Sequence, residues 1–232
     1  DDEFGPAYSG LAMVAAAQGK IDEAEDLVDD GIKYCDGKHP IAFIAKGIVL
    51  EYKNKGSEDE DWWEDAVEAY QEAMEIAPSE GEPHYRSGHT LKMAYKFKMA
   101  ADAFKKTLEL KNGYEAEADA EWAVVQKIER AAPGTRVGKR IALIEKITRA
   151  DIAALFISEL EIDRILEKRK AKVYDTSFEA PTDTREMQTE SVTKVKDVLD
   201  IDKHWAKNFI LDLQAFQIRG LEPTPDHKFY PN

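Results

Sequence analysis

Small and bulky apolar residues recur at helical spacing through the first half of the chain. In three segments, a small residue is followed four positions later by a bulkier one and, three positions after that, by another small one. Each segment is preceded by a further helical pattern with a small residue at one fixed place. Because small side chains let helices approach where they cross, the pattern predicts three stacked helix pairs. The recurring sets are Ala24/Val28/Gly31, Ala66/Tyr70/Ala73 and Ala100/Phe104/Thr107, preceded by Ala12, Gly47 and Gly88.

Equivalent positions in these pairs are separated by similar numbers of residues. Ala66 and Ala100 lie 34 residues apart, and Ala12 and Gly47 lie 35 apart. The longer step of 41 residues from Gly47 to Gly88 contains an insertion around residues 57–61. This spacing resembles the tetratricopeptide repeat (TPR), a helix-turn-helix unit. The resemblance implies an all-α fold, with a TPR solenoid of about three repeats and a capping helix over residues 1–133. An unrelated helical bundle is the alternative.

In the TPR family, the first helix of each pair lines a concave groove that binds peptides or protein segments. The resemblance therefore implies a groove that is largely apolar and aromatic. A clamp for a C-terminal carboxylate is not expected, because Arg86 and Lys92 are its only basic residues and no Asn accompanies them. Either a hydrophobic peptide partner or a flanking segment of the chain itself could occupy the groove. The implied lining residues are Ser9, Met13, Ala16, Ile44, Ile48, Tyr52, Tyr85, His89, Lys92 and Met93.

The second half of the chain begins with a helical pattern and then a strong helix start. Val137, Ile141 and Ile144 lie at helical spacing. Thr148 is a good N-cap residue, and Asp151 three positions later predicts a capping box. Residues 134–232 are therefore also predicted to be helical, apart from a long polar linker around residues 167–194.

Two motifs in this half resemble the S-layer homology (SLH) domain. The string from Ile147 to Phe156 is similar to the family's I-T-R-A-E-F-A motif, with Asp151 in place of the usual Glu. Residues 195–232 are similar to its D-V, W-A, G-I-x-G and D-G-x-F-x-P patterns, with His227 in place of the turn glycine. The resemblance implies an incomplete SLH-like region that binds cell-wall polysaccharide. In the family another motif would follow residue 232, so we expect this sequence to be a fragment.

The glycan-binding residues implied by the SLH resemblance combine a guanidinium, carboxylates and an aromatic ring. A guanidinium grips a carboxylate in a bidentate manner, and an aromatic ring can stack on a sugar. The alternative is that Trp205 belongs to the core and that Arg149 makes an intramolecular ion pair. The implied residues are Arg149, Asp151, Asp197, Trp205 and Gly220.

The distribution of charge supports two modules. Residues 1–133 contain 15 basic and 29 acidic side chains, whereas residues 134–232 contain 17 of each, and the whole chain carries a formal net charge of −14. This excess of negative charge disfavours a nucleic-acid binder. No apolar run approaches the roughly 18 residues of a membrane span, so no transmembrane segment is predicted. The single Cys35 cannot form an intrachain disulfide.

Residue patterns typical of catalysis or metal binding are missing from the sequence. The five histidines show no metal-ligand spacing, and no catalytic motif accompanies them. The acidic run 58–61 lacks the ligand spacing of a calcium loop and is interpreted as a solvated surface loop. We therefore expect no enzyme activity, no cofactor and no metal site. A glycan-processing enzyme would require a catalytic domain outside this sequence.

Together these patterns predict a non-catalytic scaffold or anchoring protein of the cell envelope. The TPR module would contact a protein or peptide, and the SLH motifs would associate with cell-wall glycan. The sequence opens at Asp1-Asp2-Glu3 without a signal peptide, so its signal is expected to have been removed or to lie outside the fragment. The alternative is a periplasmic or cytosolic TPR adaptor whose SLH-like half is only structural.

Overall fold

The computed structural model shows two compact units, Asp1–Ala132 (unit 1) and Pro133–Asn232 (unit 2). The structure describes residues 3–55, 57, 59–166, 173–174, 191–192, 198–216 and 218–232. Within these residues the regular structure is almost entirely α-helical.

Unit 1 consists of helices that pack in chain order as antiparallel-type pairs. α1 packs on α2, α3 on α4 and α5 on α6, and each second helix also contacts the first helix of the next pair. α7 packs on α6 and closes the series. The prediction of an all-α fold with sequentially packed helix pairs is confirmed. The helices are α1 (Gly5–Ala17), α2 (Ile21–Tyr34), α3 (Pro40–Asn54), α4 (Glu64–Ile76), α5 (Gly81–Met93), α6 (Phe97–Leu110) and α7 (Glu115–Ala131).

The core of unit 1 depends on close approach at small residues. Ala12 and Ala24 are fully buried in one cluster between the first two pairs. A Cβ atom on Gly47 would overlap the ring of Tyr70, and one on Gly88 would lie 2.7 Å from Cε1 of Phe104. The aromatic rings therefore occupy the space that a larger residue would need, which is the physical basis of the small-and-bulky pattern.

Unit 2 contains four described helices and one short ladder. The helices are α8 (Arg136–Ala142), α9 (Arg149–Ser158), α10 (Ile162–Leu166) and α11 (Lys207–Gln214). The strands β1 (Val173–Tyr174) and β2 (Ser191–Val192) pair antiparallel, with Val173 opposite Val192. A separate hydrophobic core joins α9 and α11 to the residues that follow α11, with Phe229 fully buried in it.

The first two helices of unit 2 are held at their N-termini by side chains. Thr148 Oγ1 accepts a hydrogen bond from Asp151 N, and Asp151 Oδ2 accepts one from Thr148 N at 2.8 Å, so the predicted capping box of α9 is confirmed. At the start of α8, Glu159 accepts hydrogen bonds from Gly134 N (2.9 Å) and Thr135 N (2.8 Å). α8 ends at Ala142, so Ile144, predicted to continue the helical stripe, lies in the exposed turn before α9.

Candidate binding surfaces

The implied groove residues of unit 1 fall into buried and accessible sets. Ile44 and Ile48 are buried in a cluster with Tyr70, so their side chains serve the core and offer little surface to a ligand. Ser9 and Ala16 are also buried. The more accessible implied lining residues are Met13, Tyr52, Tyr85, His89, Lys92 and Met93. The accessible part is therefore more aromatic and polar than the sequence indicates.

A polar network centred on Glu51 joins α3 to α5. The Glu51 carboxylate accepts a hydrogen bond from the Thr90 hydroxyl and lies 3.4 Å from Nδ1 of His89. Burial alone would raise the pKa of Glu51. Hydrogen bonds from His89 and Thr90, with the positive charges of His89 and Lys55, outweigh burial and hold the pKa below its ordinary value of 4.5. This network fixes the side chain of His89 beside a buried carboxylate.

Both basic residues of the implied groove are already paired with carboxylates. Lys92 Nζ lies 2.6 Å from Glu121 Oε2 of α7. Arg86 donates from Nε and Nη2 to Glu82 Oε1, at 3.2 and 3.1 Å. The Tyr114 hydroxyl donates to the same oxygen at 2.8 Å. These pairs leave no free cation of this set for a ligand carboxylate, which agrees with the absence of a clamp in the sequence.

The sequence did not indicate that α7 contributes to this surface. Tyr114, just before α7, stacks on Tyr85 with ring centroids 5.0 Å apart, and Glu121 of α7 reaches Lys92. A linear signal existed for Glu51, which lies three positions after Ile48 on the implied lining face. No linear signal marked Tyr114 or Glu121, because both meet α5 only through the packing of α7.

In unit 2, Arg149 is occupied by backbone carbonyl groups. Its Nε donates to Phe229 O (2.9 Å), its Nη1 to Gly220 O (3.0 Å) and its Nη2 to Glu222 O (3.2 Å). The guanidinium also lies 4.7 Å from the ring centroid of Phe229. The intramolecular partners of Arg149 are therefore carbonyls rather than the carboxylate of an ion pair, and they tie residues 220–229 to the start of α9.

Two other implied glycan residues have structural partners as well. Asp151 is buried and forms the capping box of α9. Gly220 has φ +91°, in the left-handed region that favours glycine, and its carbonyl accepts from Arg149. Asp197 and most of the predicted linker 167–194 lie outside the described residues. These contacts explain the motif residues by packing alone, without assigning them a ligand.

Trp205 is the implied glycan residue with the most accessible side chain. It is 46% exposed, and the guanidinium carbon of Arg140 lies 4.0 Å from its ring centroid. Phe209 supports the indole edge-on, with centroids 6.2 Å apart. The sequence did not indicate Arg140, since the pairing joins α8 to a residue 65 positions later. An accessible indole beside a guanidinium can stack on a sugar ring and bind an acidic substituent.

Metal and membrane features were sought in the same residues. Across the part of the chain that the structure describes, no group of three or more His, Cys, Asp or Glu side chains is arranged to hold a metal ion. No helix among those described is long and apolar enough to cross a membrane.

Comparison with known proteins gives no family for the chain. No family model, no curated protein and no solved structure matches it. The TPR and SLH resemblances therefore rest on the residues and spacings alone. What the structure establishes is an all-helical protein whose helices pack sequentially in pairs, consistent with a helical repeat.

Proposed function

We propose that the protein is a non-catalytic scaffold of the cell envelope. In this proposal unit 1 binds a segment of another protein, and unit 2 associates with an acidic cell-wall glycan. The observation that carries the proposal is the accessible Arg140–Trp205 pair, which has the chemistry of an acidic-sugar site. The SLH-like motifs of unit 2 support the same class of ligand.

The glycan contact is assigned to Arg140 and Trp205 rather than to Arg149. Stacking occupies the face of the Arg140 guanidinium and leaves its N–H edge for a carboxylate. No ion pair joins Arg140 to a carboxylate within residues 133–166 and the other described parts of unit 2. Arg149, by contrast, donates to three carbonyls, so its role is to position the segment that packs beside α9.

Cosedimentation with purified cell-wall sacculi tests the glycan assignment. The chain should pellet with the sacculi, and Arg140→Gln and Trp205→Ala should each weaken binding about tenfold, as loss of a partly desolvated cation–π and stacking contact implies. Arg136→Gln removes an exposed guanidinium from the same helix and should bind normally. Failure of the unaltered protein to pellet, or equal binding by all three variants, would contradict the glycan role.

For unit 1, the accessible aromatic and histidine side chains support binding of a protein segment. Tyr85 and His89 are half-buried on α5, and Tyr52 is exposed on α3. Tyr52→Ala and Tyr85→Ala should reduce capture of specific partners from an envelope extract while the far-ultraviolet circular dichroism stays unchanged. Met99→Ala, an exposed apolar position on α6, is the matched control. An identical partner set for all variants would exclude this surface.

The second candidate is an adaptor in which unit 2 is only a packing domain. The intramolecular contacts of Arg149, Asp151 and Gly220 favour it, since they account for these motif residues without a ligand. Partner capture by unit 1 without any binding to sacculi would select this function over the scaffold.

A further inference from the structure

The outward side of α1 is an uncovered apolar surface. We call it the α1 outer face and define it by Phe4, Ala7, Gly10, Leu11, Val14 and Ala17. Its three large side chains, Phe4, Leu11 and Val14, are 56%, 55% and 53% exposed. α1 contains no charged residue, although charged residues make up 34% of the chain. A solvent-facing helix of this composition is unusual, because helices normally direct polar residues to water.

Comparison between pairs shows what normally covers this side of a first helix. The residues of α3 equivalent to Ala7, Gly10 and Val14 lie 35 positions later and are Ala42, Ala45 and Val49. All three are buried, and the last two belong to the cluster that α3 forms with the first pair.

The same holds one pair later. The α5 residues equivalent to Ala42 and Val49 lie 41 positions further on, at Pro83 and Thr90, and both are buried. The α1 outer face therefore has the composition of an internal helix–helix interface, whereas the outer face of an end repeat is ordinarily polar.

The α1 outer face is complementary to itself when two copies of α1 run antiparallel. With the two-fold axis between Gly10 and Leu11, Phe4 lies opposite Ala17, Ala7 opposite Val14 and Gly10 opposite Leu11, so that each large residue meets a small one. No atom of the chain lies within 4 Å of the position that a Cβ on Gly10 would take. Leu11 of a second copy can therefore fill that space, as in ridge-into-groove packing.

Charge restricts where two copies can meet. Residues 1–133 hold 29 acidic and 15 basic side chains, so contacts between most surfaces of two first units bring like charges together. Of the unit 1 helices, α1 is the one without charged side chains. We propose that the protein forms a two-fold symmetric dimer in which the α1 outer face packs antiparallel on the α1 outer face of a second copy.

Sedimentation velocity of the full chain tests the dimer. One helix from each copy buries little surface, so dissociation in the micromolar range is expected, with dimer appearing between about 1 and about 100 µM. Raising NaCl to about 0.5 M should increase the dimer fraction, because salt screens the repulsion between the acidic copies. A chain that stays monomeric at the highest concentration in both salts would overturn the proposal and leave the face to another occupant.

Two substitutions locate the contact. Leu11→Glu places a charge at the centre of the α1 outer face and should weaken dimerisation at least about tenfold. Met99→Glu changes a similarly exposed side chain on α6, 46% accessible, and should leave the dimer intact. Both variants should retain the helical circular dichroism, since both positions are exposed. A dimer that survives Leu11→Glu would show that another surface mediates it.

Crosslinking tests the antiparallel register. In a Cys35→Ser background, Leu11→Cys should form an intermolecular disulfide on oxidation with diamide, because this position lies beside the two-fold axis. Gln18→Cys should not, since the two copies of that residue would lie about 20 Å apart along the helices. Efficient crosslinking at Gln18 rather than at Leu11 would overturn the proposed arrangement.

Discussion

Gly47 and Gly88 set the distance between paired helices at the scale of single residues. Each lies against an aromatic ring, Tyr70 or Phe104, that is fully buried. Because a ring cannot shorten as a flexible side chain can, an added methyl group must displace a helix or force the ring out of its rotamer. The geometry of the pair is therefore sensitive to one carbon atom.

Gly47→Ala should lower the free energy of unfolding of unit 1 by about 1–3 kcal/mol, because overpacking outweighs the gain in helix propensity of about 1 kcal/mol. Urea denaturation measures the loss. In a Tyr70→Leu background, which leaves room for the methyl group, the same substitution should cost much less. An equal cost in both backgrounds would show that the ring is not the cause.

The buried carboxylate of Glu51 links stability to pH. Its pKa is lower in the folded than in the unfolded chain, so the unfolded chain binds more protons at acid pH. The stabilisation is fully present above pH 4.5 and is lost as the pH falls through the lower folded pKa.

Glu51→Gln should therefore reduce the free energy of unfolding by about 1–3 kcal/mol at neutral pH, with the loss shrinking towards pH 3. Urea titrations between about pH 3 and about pH 7 follow this difference. The exposed Glu109→Gln should change stability by less than about 0.5 kcal/mol. A difference between wild type and Glu51→Gln that does not depend on pH would contradict the assignment.

At the scale of elements, α9 depends on residues far along the chain. The N-terminus of α9 carries a local capping box, yet Ala150 N donates to Pro231 O at 3.1 Å and Arg149 holds three further carbonyls. The helix and the residues 218–231 therefore stabilise each other, and neither contact set is complete alone.

Arg149→Ala should destabilise unit 2 by about 2–3 kcal/mol, since hydrogen bonds from a charged donor are lost and the carbonyls keep only water. Arg149→Lys should restore less than half of this, because an ammonium cannot match the planar fork. Hydrogen exchange in residues 149–158 and 218–231 reports the change. Arg219→Ala, an exposed neighbour, is the control; an equal effect there would contradict a specific role for Arg149.

Local patterns predicted the elements better than the contacts between them. The helix pairs follow from small and bulky residues at helical spacing, and the capping box from Thr148 and Asp151. The Arg140–Trp205 stack joins residues 65 positions apart, so no short pattern encodes it. The same separation hid the carbonyl partners of Arg149, whose resemblance to a ligand-binding arginine said nothing of its intramolecular bonds.

At the scale of the whole molecule, the chain has two units with separate hydrophobic cores. Unit 1 is strongly acidic, whereas residues 134–232 are charge-balanced. Contacts of unit 1 join neighbouring helices, while those of unit 2 join its two ends. The units therefore differ in surface charge and in how their cores are assembled.

Unfolding should consequently occur in two transitions, since each core can be lost separately. Trp205 is the sole tryptophan after residue 133, so its fluorescence, in a chain whose other three tryptophans are Phe, reports unit 2. Gly47→Ala should shift the transition of unit 1 and Arg149→Ala that of unit 2. One transition that both substitutions shift equally would contradict independent unfolding.

The bond between Arg149 and Phe229, which are 80 residues apart, has a consequence for synthesis. In unit 1 each helix packs on the next, so structure can accumulate while the chain emerges from the ribosome. The core of unit 2 must wait for Phe229, which is fully buried in it. Until then α9 exposes its apolar side, and the second half of the chain is the part most open to chaperones and proteases during translation.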